Sequence, residues 1–252
     1  MLNLTGNALV TGASQGIGLG FVQYLLQNPN INQIYATYRT KESATALLKL
    51  EEQFNHRLVC LAMDLTEEDQ IIAGINNIKT EVNQLHWVIN CVGFLHQGSL
   101  QPEKSLRQIN AENLMQYFQT NSISAILLAK HLLPLFQHDQ QSIFASISAK
   151  IGSIGDNRLG GWYGYRASKA ALNMFMKTAS IEYHRKAPNN IIVVLHPGTT
   201  DTQLSKPFQR NVPPEKLFSV ERTVSQLMAV MTQLDLKDSG EFFSWDGSPL
   251  PW

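Results

Sequence analysis

The chain of 252 residues is poor in cysteine, in net charge and in long apolar runs. Its two cysteines, Cys60 and Cys91, both lie in apolar stretches. A chain of this length buries a large core without covalent staples, so they read as reduced, buried thiols of a cytoplasmic protein rather than a disulfide framework. Twenty Lys+Arg balance twenty Asp+Glu to a formal net charge of +0, which argues against nucleic acid bound through phosphate neutralisation. Charged residues make up 16% and hydrophobic ones 44%, the opposite of a disordered composition. The opening MLNLTGNALV has neither the basic start nor the apolar run of a signal peptide, so the sequon Asn3-Leu4-Thr5 reads as chance. The most apolar stretch, residues 123–136, contains Lys130, His131 and Pro134 and is too short to cross a bilayer, so no membrane partner is expected. None of the seven histidines has metal-ligand spacing.

What the chain does have is alternation. Short β-branched runs at residues 7–10, 34–38, 58–63, 87–92, 142–147 and 191–195, with a last candidate at 241–245, read as strands. Between them, helical patterns begin after the first strand and cover residues 40–52, a stretch opening near Thr66 as N-cap, 113–136, 165–184 and 221–234. Several strands are nearly continuous apolar runs, as a parallel sheet covered on both faces requires. No linker, repeat or low-complexity segment interrupts them. The predicted fold is α/β: a doubly wound parallel sheet (Rossmann-type) in a single domain, with helices on both faces.

The strongest local signal is Thr11-Gly12-Ala13-Ser14-Gln15-Gly16-Ile17-Gly18, which follows the first strand and opens a helix. Glycines permit a tight turn and close backbone approach to a pyrophosphate, and the helix start offers it free N–H groups. The spacing is Gly-x3-Gly-x-Gly rather than the common Gly-x-Gly-x2-Gly. An NAD enzyme usually places an acid at the end of the second strand for the ribose 2′-hydroxyl. Here the strand ends Tyr38-Arg39-Thr40-Lys41. Arg39 can fork onto a 2′-phosphate and so favours NADP(H) over NAD; its other reading is a solvated surface arginine. Asp64 and Leu65 end the third strand, where an acceptor can meet an adenine amino group or serve as a turn residue.

Tyr165-Arg166-Ala167-Ser168-Lys169 places a tyrosine and a lysine at i and i+4, on one helix face. A free phenol titrates near 10, and a nearby ammonium lowers it toward working pH. Such a tyrosine can pass a proton to or from a carbonyl oxygen while a nicotinamide exchanges hydride. Alone the pair says little; after the glycine turn, in this order, it says more.

With these motifs the chain resembles the short-chain dehydrogenase/reductase family over essentially its whole length. The remaining pieces fall in sequence: Asp64, then Asn90-Cys91-Val92-Gly93, Asn121, Tyr165-x3-Lys169, and Pro197-Gly198-Thr199-Thr200-Asp201-Thr202. The run of residues 152–162 and the ending Trp245-Asp246-Gly247-Ser248-Pro249-Leu250-Pro251-Trp252 are similar to the C-factor-like and sniffer-like carbonyl reductases. The resemblance implies that Tyr165 is the general acid/base and that Lys169 lowers its pKa and binds the nicotinamide ribose. It implies that Asn121 holds a water of a proton relay, and that Asn90 and Gly93 line the adenosine side. Pro197, Gly198, Thr200 and Thr202 would belong to the loop that holds the nicotinamide. It further implies a small-molecule carbonyl or alcohol substrate, a substrate lid at about residues 205–220, and a homodimer or homotetramer.

Two departures stand out. The family's Asn-Asn-Ala-Gly is here Asn90-Cys91-Val92-Gly93. The usual serine pair after the fifth strand is also disturbed: Ser148 lies 17 residues before Tyr165, and alignment on Gly152-Ser153 places the second serine at Ala149. Ser148 is the first candidate for the catalytic serine and Ser153 the second. The rival reading is an NADP-binding signalling or regulatory protein with little turnover, supported by the doubtful serine and opposed by the complete Tyr165, Lys169 and Asn121 set. An NAD-linked alcohol oxidase is the third.

Overall fold

The computed structural model describes residues 2–252. Seven strands form one sheet: β1 (Gly6–Thr11), β2 (Ile31–Tyr38), β3 (Leu58–Ala62), β4 (Trp87–Asn90), β5 (Ser142–Ile147), β6 (Asn190–His196) and, last in the chain, β9 (Phe242–Ser244). Every pairing is parallel, in the order β3-β2-β1-β4-β5-β6-β9. Two short strands, β7 (Thr199–Thr200) and β8 (Leu217–Phe218), pair apart from the sheet. The doubly wound expectation holds, and the strand order reverses between β1 and β4.

Side-chain alternation along the strands divides the core in two. Ala8, Val10, Trp87, Ile89, Ile143, Ala145, Ile191 and Val193 point into one cluster. There they meet Phe21 and Leu25 of α1 (Gly16–Leu26), Leu47 of α2 (Thr45–Gln53), and Leu227 and Met231 of α7 (Val220–Gln233). The intervening Leu9, Val88, Phe144, Ile192 and Val194 face the second cluster. That cluster holds Ile71, Ile75 and Ile78 of α3 (Glu68–Glu81), Leu128 and Leu132 of α5 (Ser124–Leu132), and Leu172 and Met176 of α6 (Tyr163–Lys186). Burial on both faces explains why the strands lack a polar side.

Local differences from the sequence expectation have local causes. The long helix over 113–136 is a composite: α4 (Ala111–Phe118) is capped by Asn110, a π-turn spans Gln119–Ile123, α5 follows, and a 3-10 turn ends it at Leu133–Phe136. Thr66 does not cap α3. Its N–H and hydroxyl both bond to Asp64 Oδ1, and the helix starts two residues later. Among the described residues no helix is long and apolar enough to cross a membrane.

Candidate active site

The strand-order reversal opens a crevice at the carboxyl ends of β1 and β4, the place where open α/β sheets bind ligands. The turn after β1 is shaped by backbone sterics. Gly12 and Gly16 lie at φ +68° and +55°, a region that favours glycine. A Cβ on Gly18 would stand 2.2 Å from the Gly12 carbonyl oxygen, so only glycine lets α1 start against β1. Ser14, Gln15 and Ile17 complete the turn at its surface. No side chain caps α1, and its first turn carries no acid. Its N–H groups and partial positive charge are left for an anion.

Arg39 lies exposed just past β2, and among the described residues it makes no ion pair. Asp64 spends Oδ1 on the Thr66 turn; Leu65 is buried beside it. Asn90, at the end of β4, accepts from the Thr11 hydroxyl at 2.8 Å and from the Val92 N–H at 3.2 Å, tying together the two strand ends that flank the crevice. Gly93 is exposed; a Cβ there would lie 3.6 Å from Lys169 Nζ. On the far side, β6 runs through buried Pro197 to Gly198 at φ +72°, where a Cβ would meet the Phe218 ring at 2.6 Å. The Thr200 hydroxyl bonds to Thr223 of α7 at 2.8 Å. Thr202 reaches across, its methyl 3.2 Å from a Cβ built on Gly16, so the glycine turn and the Pro197 loop close toward each other.

Tyr165 and Lys169 stand one turn apart on α6, 7% and 3% exposed. Lys169 Nζ lies 5.9 Å from the Tyr165 ring centroid and donates to the Ile147 carbonyl at the end of β5, 3.1 Å away. An ammonium carries three donors, and the others are free to face the crevice. Burial brings Lys169 down to about 8 and pushes the Tyr165 phenol above its ordinary value. In the chain without cofactor, burial of the phenol acts against the lowering expected from the pairing.

Asn121 sits in the π-turn, a feature frequent at functional sites. Its Oδ1 accepts from the Phe94 N–H, and its Nδ2 donates to the Phe94 carbonyl and to Ser168 Oγ. The carboxamide thus fixes the loop after Gly93 to α6.

Both candidate serines are buried. Ser148 is 3% exposed and its hydroxyl donates to Asn173 Oδ1 at 2.7 Å. Ser153 is 1% exposed, accepting from the Asp156 N–H. The chain is extended at Ala149 (φ −151°, ψ 143°), so successive side chains point to opposite sides. Ala149 packs against the apolar cluster that contains Tyr165.

That cluster holds residues the sequence did not single out. Tyr117 and Trp162 flank the Tyr165 ring at 6.3 and 6.2 Å, and Phe208 lies 4.8 Å from Trp162 and 5.6 Å from His96. Phe208 comes from the 206–216 segment, two 3-10 turns bracketed by β7 and β8. Gly160, Gly161 and Trp162 are three successive residues at positive φ, +64°, +67° and +53°. Glu103, 2% exposed, holds this turn: its carbonyl accepts from the Trp162 N–H and its Oε2 from the Gly164 N–H at 3.1 Å. It acts as a cap for α6 supplied from another segment. The Gly160-Gly161 pair was the one signal in the sequence. At the other end, Trp245 packs on Phe218, while Trp252 stacks on Phe242 and accepts from the Gly155 N–H.

A family model described as short chain dehydrogenase matches residues 6–213. The benzil reductase ((S)-benzoin forming) of Saccharomyces cerevisiae is 29% identical over 239 residues, 91% of this chain and 85% of that protein. An NADPH-bound carbonyl reductase from chicken fatty liver superposes with a TM-score of 0.87 at 28% identity, covering 100% of both chains. The carbonyl reductase Sniffer of D. melanogaster gives 0.86 at 27%, covering 98% of this chain and 100% of that one.

Proposed function

This chain belongs to the short chain dehydrogenase family of oxidoreductases, and from that premise we propose that it is an NADP(H)-dependent carbonyl reductase with Tyr165 as its acid. The observation that carries the proposal is the buried Tyr165–Lys169 pair at the mouth of the β1/β4 crevice. The uncapped start of α1 would hold the pyrophosphate and Arg39 the 2′-phosphate. The free donors of Lys169 would hold the nicotinamide ribose, and the loop from Pro197 to Thr202 the ring. When bound, NADPH supplies the hydride. Relatives whose names or titles speak of carbonyl reduction or bound NADPH support the same assignment.

Tyr165 Oη gives its proton to the substrate oxygen as charge develops there, and the Lys169 ammonium stabilises the phenolate left behind. Phe208 on its segment covers Tyr165 as a lid.

The test is NADPH consumption across a panel of aldehydes and ketones, with Arg39→Ala as the cofactor control. Turnover with NADPH, and a preference over NADH that Arg39→Ala erases, supports the assignment. Equal affinity for the two cofactors removes NADP specificity. Tight NADPH binding without turnover on any carbonyl turns the reading to a dinucleotide-binding regulatory protein.

A further inference from the structure

Resting on the reductase reading, we propose that this site is specialised for activated carbonyls, aldehydes and 1,2-dicarbonyls on an apolar body, because Tyr165 is the one hydroxyl it offers to the substrate oxygen. Four neighbouring hydroxyls are already bonded within the protein. Tyr117 Oη donates to the Leu95 carbonyl at 2.6 Å. Ser168 Oγ donates to the Tyr165 carbonyl at 2.9 Å. Ser148 Oγ donates to Asn173 on the opposite side of an extended chain, and Ser153 is buried under the Asp156 amide. Ala149, which packs against the apolar cluster that contains Tyr165, presents only a methyl group. The other walls are aromatic or aliphatic: Phe94, Leu95, Trp162 and Phe208.

Reduction moves a hydride and its electron pair from NADPH to the carbonyl carbon, opening the C=O π bond onto oxygen, which then takes the Tyr165 proton. NADPH is oxidised and the carbonyl reduced to an alcohol. In the transition state the oxygen carries most of the developing charge. Removing one donor at that oxygen typically lowers the rate by roughly 10²–10³-fold. An electron-withdrawing neighbour, such as a second carbonyl, spreads the charge within the substrate and makes the missing donor matter less. An ordinary dialkyl or aryl alkyl ketone has no such help. The apolar walls fit the rest of such a molecule, and the low dielectric they create sharpens the difference between substrates that do and do not stabilise their own alkoxide.

The experiment installs the missing hydroxyl. Ala149→Ser is compared with wild type on matched pairs, an aryl alkyl ketone against the aryl 1,2-diketone, and on a para-substituted acetophenone series. The expected result is a gain in kcat/KM of about 10-fold or more on the simple ketone, with less than about 3-fold on the diketone. The dependence of rate on the para-substituent should flatten in the variant. Ala149→Thr carries the same hydroxyl if the serine variant does not fold, and Ala149→Gly, with none, should show no gain. An unchanged ketone-to-diketone ratio in a folded hydroxyl variant overturns the proposal. So does a fall of about 10²-fold in Trp162→Phe, since that would make the indole N–H a second donor. A wild-type protein that binds NADPH and reduces neither substrate class instead overturns the reductase reading on which this one rests.

Discussion

Ser148→Ala separates the two roles open to this serine. The hydroxyl donates to Asn173 Oδ1 at 2.7 Å, both residues are 3% exposed, and Asn173 Nδ2 has no partner of its own. Truncation therefore leaves a buried amide without its remaining side-chain bond, a desolvation cost of about 1–3 kcal/mol. Unfolding entropy of roughly 2.1 cal/mol/K per residue, over 252 residues, gives about 0.5 kcal/mol/K, so the Tm should fall by roughly 2–6 °C. The rate should barely change, because the hydroxyl is spent on Asn173: kcat/KM for NADPH-dependent reduction should stay within about 3-fold, against the roughly 10²-fold loss that removal of a donor to the substrate oxygen would bring. Calorimetric melting and steady-state kinetics on the same preparation give both numbers. A loss of about 10²-fold with an unmoved Tm would refute the structural role and return Ser148 to the catalytic site.

Three further outcomes follow from other charged and titratable groups. Glu103→Ala removes the carboxylate that caps α6 at Gly164, costing about 1–2 kcal/mol; Glu103→Gln, which keeps an acceptor, should recover most of it, and equal loss in the two variants would contradict the capping role. His196 is held neutral, near 4, chiefly by burial with the Lys150 charge adding to it. The unfolded chain takes up that proton near 6.5, so stability falls as pH drops from about 6.5 to 4, by on the order of 3 kcal/mol; denaturant titrations of wild type and His196→Gln at pH 7 and 4.5 should diverge only at the lower pH. Lys169, near 8 in the free chain, loses its charge above that pH, so kcat/KM for reduction should decline with one proton above about pH 8, and a profile flat to pH 10 would remove the ammonium from the mechanism.

Much of the fold was legible because its strands are buried on both faces, which writes continuous apolar runs into the sequence, and because each glycine of the first turn answers a steric demand. Tyr165 and Lys169 were legible because one helix carries both at a fixed spacing. Which of Ser148 and Ala149 turns toward the site was not legible, because in an extended segment a shift of one residue reverses the side to which a side chain points, and the sequence does not state the register. Glu103 was missed because it reaches the site from a segment 62 residues before Tyr165, a contact that only the folded chain creates; Phe208 fell within the expected lid, but its packing on Trp162 was not legible. The π-turn at Asn121 was missed because it interrupts a helix without glycine or proline to mark the place.

The most direct test of the central claim is Tyr165→Phe, assayed for NADPH oxidation with a carbonyl substrate and for NADPH binding. The account predicts loss of at least about 10²-fold in kcat, with cofactor affinity and Tm near wild type, since the ring remains packed between Tyr117 and Trp162. Full turnover in a folded Tyr165→Phe protein would contradict it.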